Sequence, residues 1–95
     1  MPLTGRQRRD LLARSHTLRP AVIVAFADPL PEAVIAQVRT ALAAHELVKV
    51  RVNADTGAEA DAVAAQLASR AACELVRRVG KVIVLYKPAE PEASP

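Results

Sequence analysis

Ala21-Val22-Ile23-Val24-Ala25-Phe26 is a continuous apolar run set between Pro20 and the segment Asp28-Pro29-Leu30-Pro31. Its length suits a strand better than a helix, and its lack of polar interruption predicts a strand buried at the centre of a sheet. Pro31 suits the first turn of a following helix. Val34, Val38, Ala41, Leu42 and His45 then recur at helical spacing, after which Leu47-Val48-Lys49-Val50-Arg51-Val52 switches to strict alternation. Alternation of that kind belongs to a strand with one face on a core. The chain from 21 to 52 therefore reads as strand, helix, strand.

The same reading extends outward in both directions. Asp55-Thr56-Gly57 marks a break, and Thr56 with Glu59 has capping-box spacing ahead of an Ala-rich helix that buries Ala60, Val63, Leu67 and Ala71. Cys73 to Val79 is a further strand. Gly80 supplies a turn with positive φ, and Lys81-Val82-Ile83-Val84-Leu85-Tyr86-Lys87 returns as its antiparallel hairpin partner. Upstream, Thr4 and Gln7 repeat the capping-box spacing at the start of a first helix. On a 3.6-residue period Leu11 and Leu18 share the inward arc, Arg6 and Arg9 face away from it, and Arg8 and Arg14 flank it.

The order is αβαβαββ. Strand-helix-strand connections of this length favour parallel pairing, while the last two strands pair antiparallel. The expected fold is thus α/β, a mixed four-stranded sheet packed with helices on at least one face. Ninety-five residues suffice for one domain that buries roughly two thirds of its unfolded surface. Short loops and the absence of a repeat give a single compact unit over 1–88. Residues 89–95, rich in Pro, Ala and Glu, read as a short disordered tail.

Thirteen basic residues against ten acidic ones give a net charge of +3, so position matters more than amount. Arg6, Arg8, Arg9, Arg14 and Arg19 fall within the first twenty residues, where Asp10 is the only acid. Such a segment offers a polyanion a fixed cationic face. Lys49 and Arg51 share the outward face of their strand, and Arg77, Arg78, Lys81 and Lys87 surround the final hairpin, so all six extend the candidate surface. Phe26 and Tyr86 are the only aromatic residues. Stacking on unpaired bases is poorly provided for, which shifts the expected contacts toward phosphates and overall shape.

Other functional classes find little support. General acid/base and nucleophilic catalysis need a converging set of groups, and the two histidines, His16 and His45, each sit near a helix end where a capping role accounts for them. Cys73 stands alone, which excludes an internal disulfide and suits a small apolar packing role; with two distant histidines it makes no zinc pattern. No catalytic residue, metal or cofactor is expected. No apolar run approaches a membrane span, and charges stand where a signal peptide would be hydrophobic, so the expected location is the cytoplasm.

Leu3-Thr4, the basic first helix, His16-x-Leu18-x-Pro20, His45-Glu46-Leu47-Val48-Lys49-Val50, and Val79-Gly80-Lys81 through Leu85-Tyr86-Lys87-Pro88 together resemble the CRM domain, named for chloroplast RNA splicing and ribosome maturation. The resemblance is to its stand-alone bacterial form, the YhbY-like proteins, and spans residues 3 to 88. It implies RNA binding, with ribosomal RNA in large-subunit precursor particles as the partner and ribosome biogenesis as the setting. Ribosomal proteins are possible further partners, and a monomer is favoured. The family carries a Gly-x-x-Gly loop between the first strand and second helix. Here Phe26, Ala27, Asp28 and Pro29 occupy that place, and Pro29 has no N–H to offer a phosphate while Asp28 repels one. RNA is then expected on the arginine helix and the basic strand ends. The alternative is a divergent domain that has kept a protein contact in place of RNA.

Overall fold

Alternation from Leu47 to Asn53 sets the frame of the molecule. Val48, Val50 and Val52 are buried on one side of this strand, while Lys49 and Arg51 lie on the other. The computed structural model describes residues 3–88, so the expected tail over 89–95 lies outside the described residues. In chain order the elements are α1 (Gly5–Ser15), β1 (Val22–Ala25), α2 (Glu32–His45), β2 (Leu47–Asn53), α3 (Gly57–Arg70), β3 (Glu74–Val79) and β4 (Val82–Tyr86). They form one mixed sheet in the order β1-β2-β4-β3.

β1 runs parallel to β2, with Val22 opposite Val50 and Val24 opposite Val52. β4 lies between β2 and β3 and is antiparallel to both. Helices α2 and α3 bury one face of the sheet: Ile35, Val38 and Leu42 of α2 and Val63, Ala64 and Leu67 of α3 meet Val22, Val24, Val48, Val50, Val52, Ile83 and Leu85. The opposite face carries α1, whose Leu11 joins Leu47, Val76 and Val84 in a smaller cluster. The expected burial of Ala60, Val63, Leu67 and Ala71 is met in full. His45 of α2 is exposed instead, and the inward turns fall to Ile35.

One strand expectation and one helix expectation need correction. The run 21–26 forms an edge strand rather than a central one, because β4 inserts beside β2 and leaves β1 outermost. Its burial alternates, and Ile23 is 64% exposed. Uniformly apolar composition hid that alternation, since an exposed Ile is chemically indistinguishable in a sequence from a buried one. The second correction concerns Leu18. Helix α1 ends at Ser15 with His16 as its cap, so Leu18 leaves the helical arc and is exposed. Ser15 takes the inward place, fully buried, its Oγ donating to Leu12 O at 2.6 Å.

The helix starts follow their capping residues. Thr4 Oγ1 accepts from Gln7 N at 3.1 Å and Gln7 Oε1 accepts from Thr4 N at 2.8 Å, a complete capping box. At α3 only half of the box forms: Thr56 Oγ1 accepts from Glu59 N, while the Glu59 carboxylate reaches one residue further back to Asp55 N. Pro31 precedes α2 as its N-cap, so the first helical residue is Glu32. The β3–β4 hairpin closes over Gly80 and Lys81, with φ of +60° at Gly80, where an L side chain would be strained.

Candidate nucleic-acid interface

Helix α1 packs against β2, β3 and β4, which puts its arginines on the same side of the sheet as the outward residues of β2. Arg6 and Arg9 are exposed, on the surface of α1 turned away from the sheet. Arg14 and Arg19 are exposed at its far end. The capping box holds the helix start, so Arg6 and Arg9 are carried on an ordered element. Among the described residues the side chains of Arg6, Arg9, Arg14 and Arg19 have no ion pair or hydrogen bond.

Lys49 and Arg51 extend this side. Their register places Lys49 opposite Val84 and Arg51 opposite Val82, and Val84 belongs to the α1 cluster. Lys49 is half-buried, its Nζ donating to Leu18 O at 3.2 Å. Arg51 is exposed. A β-bulge between Leu75 and Arg77 shifts the β3 register so that Arg77 also stands opposite Val84 and is exposed. Ile23, Arg51, Val82 and Val79 thereby form one row across the sheet, with Val79 55% exposed.

Three of the expected cations, Arg8, Arg78 and Lys81, are engaged by the fold. Arg8 is half-buried, and its Nη1 donates to Leu75 O and to Val76 O, the latter at 3.0 Å. Those carbonyls adjoin the bulge, where the ladder is interrupted and carbonyls need another donor. Arg78 belongs to the α3 face, paired with Asp61 and donating to Gly80 O at 2.7 Å. Lys81 donates to Ala54 O near the hairpin tip. Lys87 is half-buried, its backbone N donating to Glu46 O at 2.8 Å, and it lines a cleft beside the start of α1 with Leu3, Thr4 and Gln7, so it stays with the candidate surface.

The segment Phe26-Ala27-Asp28-Pro29 is held from α3. Gln66 Nε2 donates to Ala27 O at 2.9 Å, Gln66 Oε1 accepts from Leu30 N at 2.7 Å, and Arg70 Nη1 donates to Leu30 O at 2.8 Å. Arg70 also pairs with Glu32 at the start of α2, and the Asp28–Pro29 peptide is cis. The Ala27 carbonyl and both backbone groups of Leu30 are thus turned toward the protein. Nothing in the Ala-rich helix pattern marked Gln66 for this task, although a lone amide in such a helix is a signal for a backbone contact.

Cys73 lies half-buried against the main core, its Sγ at 3.5 Å from Leu67 O. Burial, reinforced by Glu74 and opposed by Lys87, pushes its thiol pKa up to about 11. No group of three or more His, Cys, Asp or Glu side chains comes together among the described residues. None of the described helices is long and apolar enough to cross a membrane.

Fold and surface define a small basic α/β domain, with two helices on one face of a mixed sheet and a single arginine-bearing helix on the other. The chain belongs to the CRS1 / YhbY (CRM) domain family, whose model matches residues 3–87. Among similar proteins, the Probable RNA-binding protein YqeI of Bacillus subtilis is 36% identical over 85 residues, covering 90% of this chain and 88% of that protein. The Probable RNA-binding protein PA4753 of Pseudomonas aeruginosa is 32% identical over 87 residues, covering 92% and 83% respectively. The solution structure of hypothetical protein SAV1595 from Staphylococcus aureus superposes with a TM-score of 0.81 at 29% identity, covering 95% of this chain and 93% of that one.

Proposed function

We propose that this protein binds RNA without catalysing a reaction on it, holding the phosphate backbone against the α1 side of the sheet. Arg6, Arg9, Arg14 and Arg19 form the principal contacts, with Lys49, Arg51 and Arg77 extending the surface. The observation that carries this reading is the unpaired state of the four α1-side arginines among the described residues. Family membership and the names of the relatives support the same partner. Two exposed aromatic faces at most leave base stacking a minor contributor, so structured RNA is favoured over single strands. Ribosomal RNA in large-subunit precursor particles, met in the cytoplasm by a monomer, is the finer form of the proposal.

Arg8, Arg78 and Lys81 are left out of the primary surface because their side chains bond the protein itself, while Lys87 is a secondary contact near the start of α1. A test is to replace Arg6 and Arg9 with Glu and compare recovery of RNA and of ribosomal proteins from lysate. Collapse of RNA recovery with an unchanged circular dichroism spectrum is the expected result. Undiminished RNA recovery overturns it. The exposed Ile23 and Val79 favour a second reading as a protein-contact module, which predicts that ribosomal proteins are recovered equally by both forms and RNA by neither.

A further inference from the structure

A cleft of about 320 Å³ opens where the C-terminal ends of α1 and α2 meet the start of β2. Its walls carry Arg14, Arg19, His45 and Lys49 with Leu18 and Leu47, and no carboxylate is among the lining residues. Only Lys49 is engaged, through Leu18 O; the side chains of Arg14, Arg19 and His45 have no partner among the described residues.

Cations at helix C-termini commonly just offset the macrodipole, worth roughly half a negative charge per helix. Two helix ends here amount to about one negative charge, against three fixed cations and an imidazole. The last carbonyls are also partly satisfied from the backbone: Ala13 O accepts from His16 N, Ser15 O from Leu18 N and Leu42 O from Glu46 N. Positive charge therefore exceeds what the helix ends require. Arg19 lies beyond α1 altogether, so capping does not account for it.

We infer that this cleft seats one unpaired nucleotide, its phosphate held by Arg14, Arg19 and His45 and its sugar and base edge resting on the exposed Leu18. A cleft at the lower end of the roughly 300–1,000 Å³ range of small-ligand sites matches one such unit. The inference deepens the RNA-binding proposal and rests on it: Arg6 and Arg9 hold a duplex backbone, and the cleft selects duplexes that present an extruded or terminal nucleotide. Nucleoside phosphate is the shared chemistry; an internal bulge and a 5′-phosphorylated end are its two sources.

The test uses the full chain and three hairpins of equal stem: fully paired with a 5′ hydroxyl, singly bulged with a 5′ hydroxyl, and fully paired with a 5′ phosphate. One charge-assisted phosphate contact is worth about tenfold in affinity, so the bulged or the 5′-phosphorylated hairpin is expected to bind about that much more tightly than the plain one. Which of the two gains identifies the source. His45→Ala is expected to shrink that gain while leaving binding of the plain hairpin unchanged. Separately, adenosine 5′-monophosphate, but not adenosine, is expected to shift the His45 ring resonances of the wild-type protein. Equal affinity for all three hairpins overturns the cleft while leaving the arginine surface standing. Failure of every hairpin to bind overturns the parent proposal, and the mononucleotide titration then still reads the cleft directly.

Discussion

Replacing Arg8 with Gln should unfold the protein far more readily than replacing any other arginine of α1. Its guanidinium bridges Leu75 O and Val76 O in a half-buried position between helix and sheet. Hydrogen bonds from a charged donor contribute about 1.5–3 kcal/mol, and an orphaned buried carbonyl costs a further share. Because the two acceptors are adjacent and share one nitrogen, their effects do not add fully; a net loss of about 2–3 kcal/mol is the working figure. For a domain of this size that corresponds to a fall in melting temperature of roughly 10–20 °C. Arg8→Lys should recover little, since an ammonium on a flexible stem does not reproduce the guanidinium geometry. Arg6→Gln and Arg9→Gln, both at exposed positions, should stay within about 0.5 kcal/mol of wild type. Urea denaturation followed by circular dichroism measures all four. An Arg8→Gln midpoint equal to those of Arg6→Gln and Arg9→Gln would refute the assignment of Arg8 to the fold.

Other consequences are local. Gln66→Ala should lose the two bonds that hold Ala27 and Leu30 and cost about 1–3 kcal/mol, with hydrogen exchange at the Leu30 amide accelerating beyond the global change. Ala72 has φ of 53° just past α3, where Cys73 N bonds Ala68 O at 3.1 Å as in a Schellman end; Ala72→Gly should therefore stabilise by up to about 1 kcal/mol, seen as a higher urea midpoint. Because the Cys73 thiol is raised to about 11, the fold favours its neutral form. That contribution is complete below the ordinary thiol range and is lost as pH rises through about 9 to 11. Wild type should lose more stability over that window than Cys73→Ala, and its thiol should react with iodoacetamide at pH 8 about ten- to a hundredfold more slowly than a free thiol, the thiolate fraction falling about a hundredfold and its higher basicity recovering part of that.

Element types were readable because caps and periodicity act locally. Thr4 with Gln7 and Gly80 with its positive φ needed no tertiary information, and the alternation around Val48 to Val52 announced which side of β2 carries cations. Strand order was another matter. The insertion of β4 between β2 and β3 depends on long-range pairing, and an all-apolar β1 gave no sign that it would end at the edge. For the site, charge type was visible but engagement was not. Arg6 and Arg8 are two residues apart and chemically identical in sequence, yet one faces solvent and the other secures a bulge whose carbonyls lie 67 and 68 residues away. Likewise, adjacent Arg77 and Arg78 point to opposite faces by strand alternation, but the bulge decides which of them turns toward the α1 side. The cationic cleft joins Arg14 of α1, Arg19 beyond it, His45 in the last turn of α2 and Lys49 of β2, a grouping that no local pattern announces.

Salt dependence tests the central claim most directly. With about four phosphates neutralised, affinity for a structured ribosomal RNA fragment should fall roughly a hundredfold between about 50 and 200 mM salt, and the slope should lessen by about two contacts in an Arg6→Gln/Arg9→Gln variant. A flat salt profile, or a slope unchanged by removing those two arginines, would contradict an RNA interface built on the α1 side of the sheet.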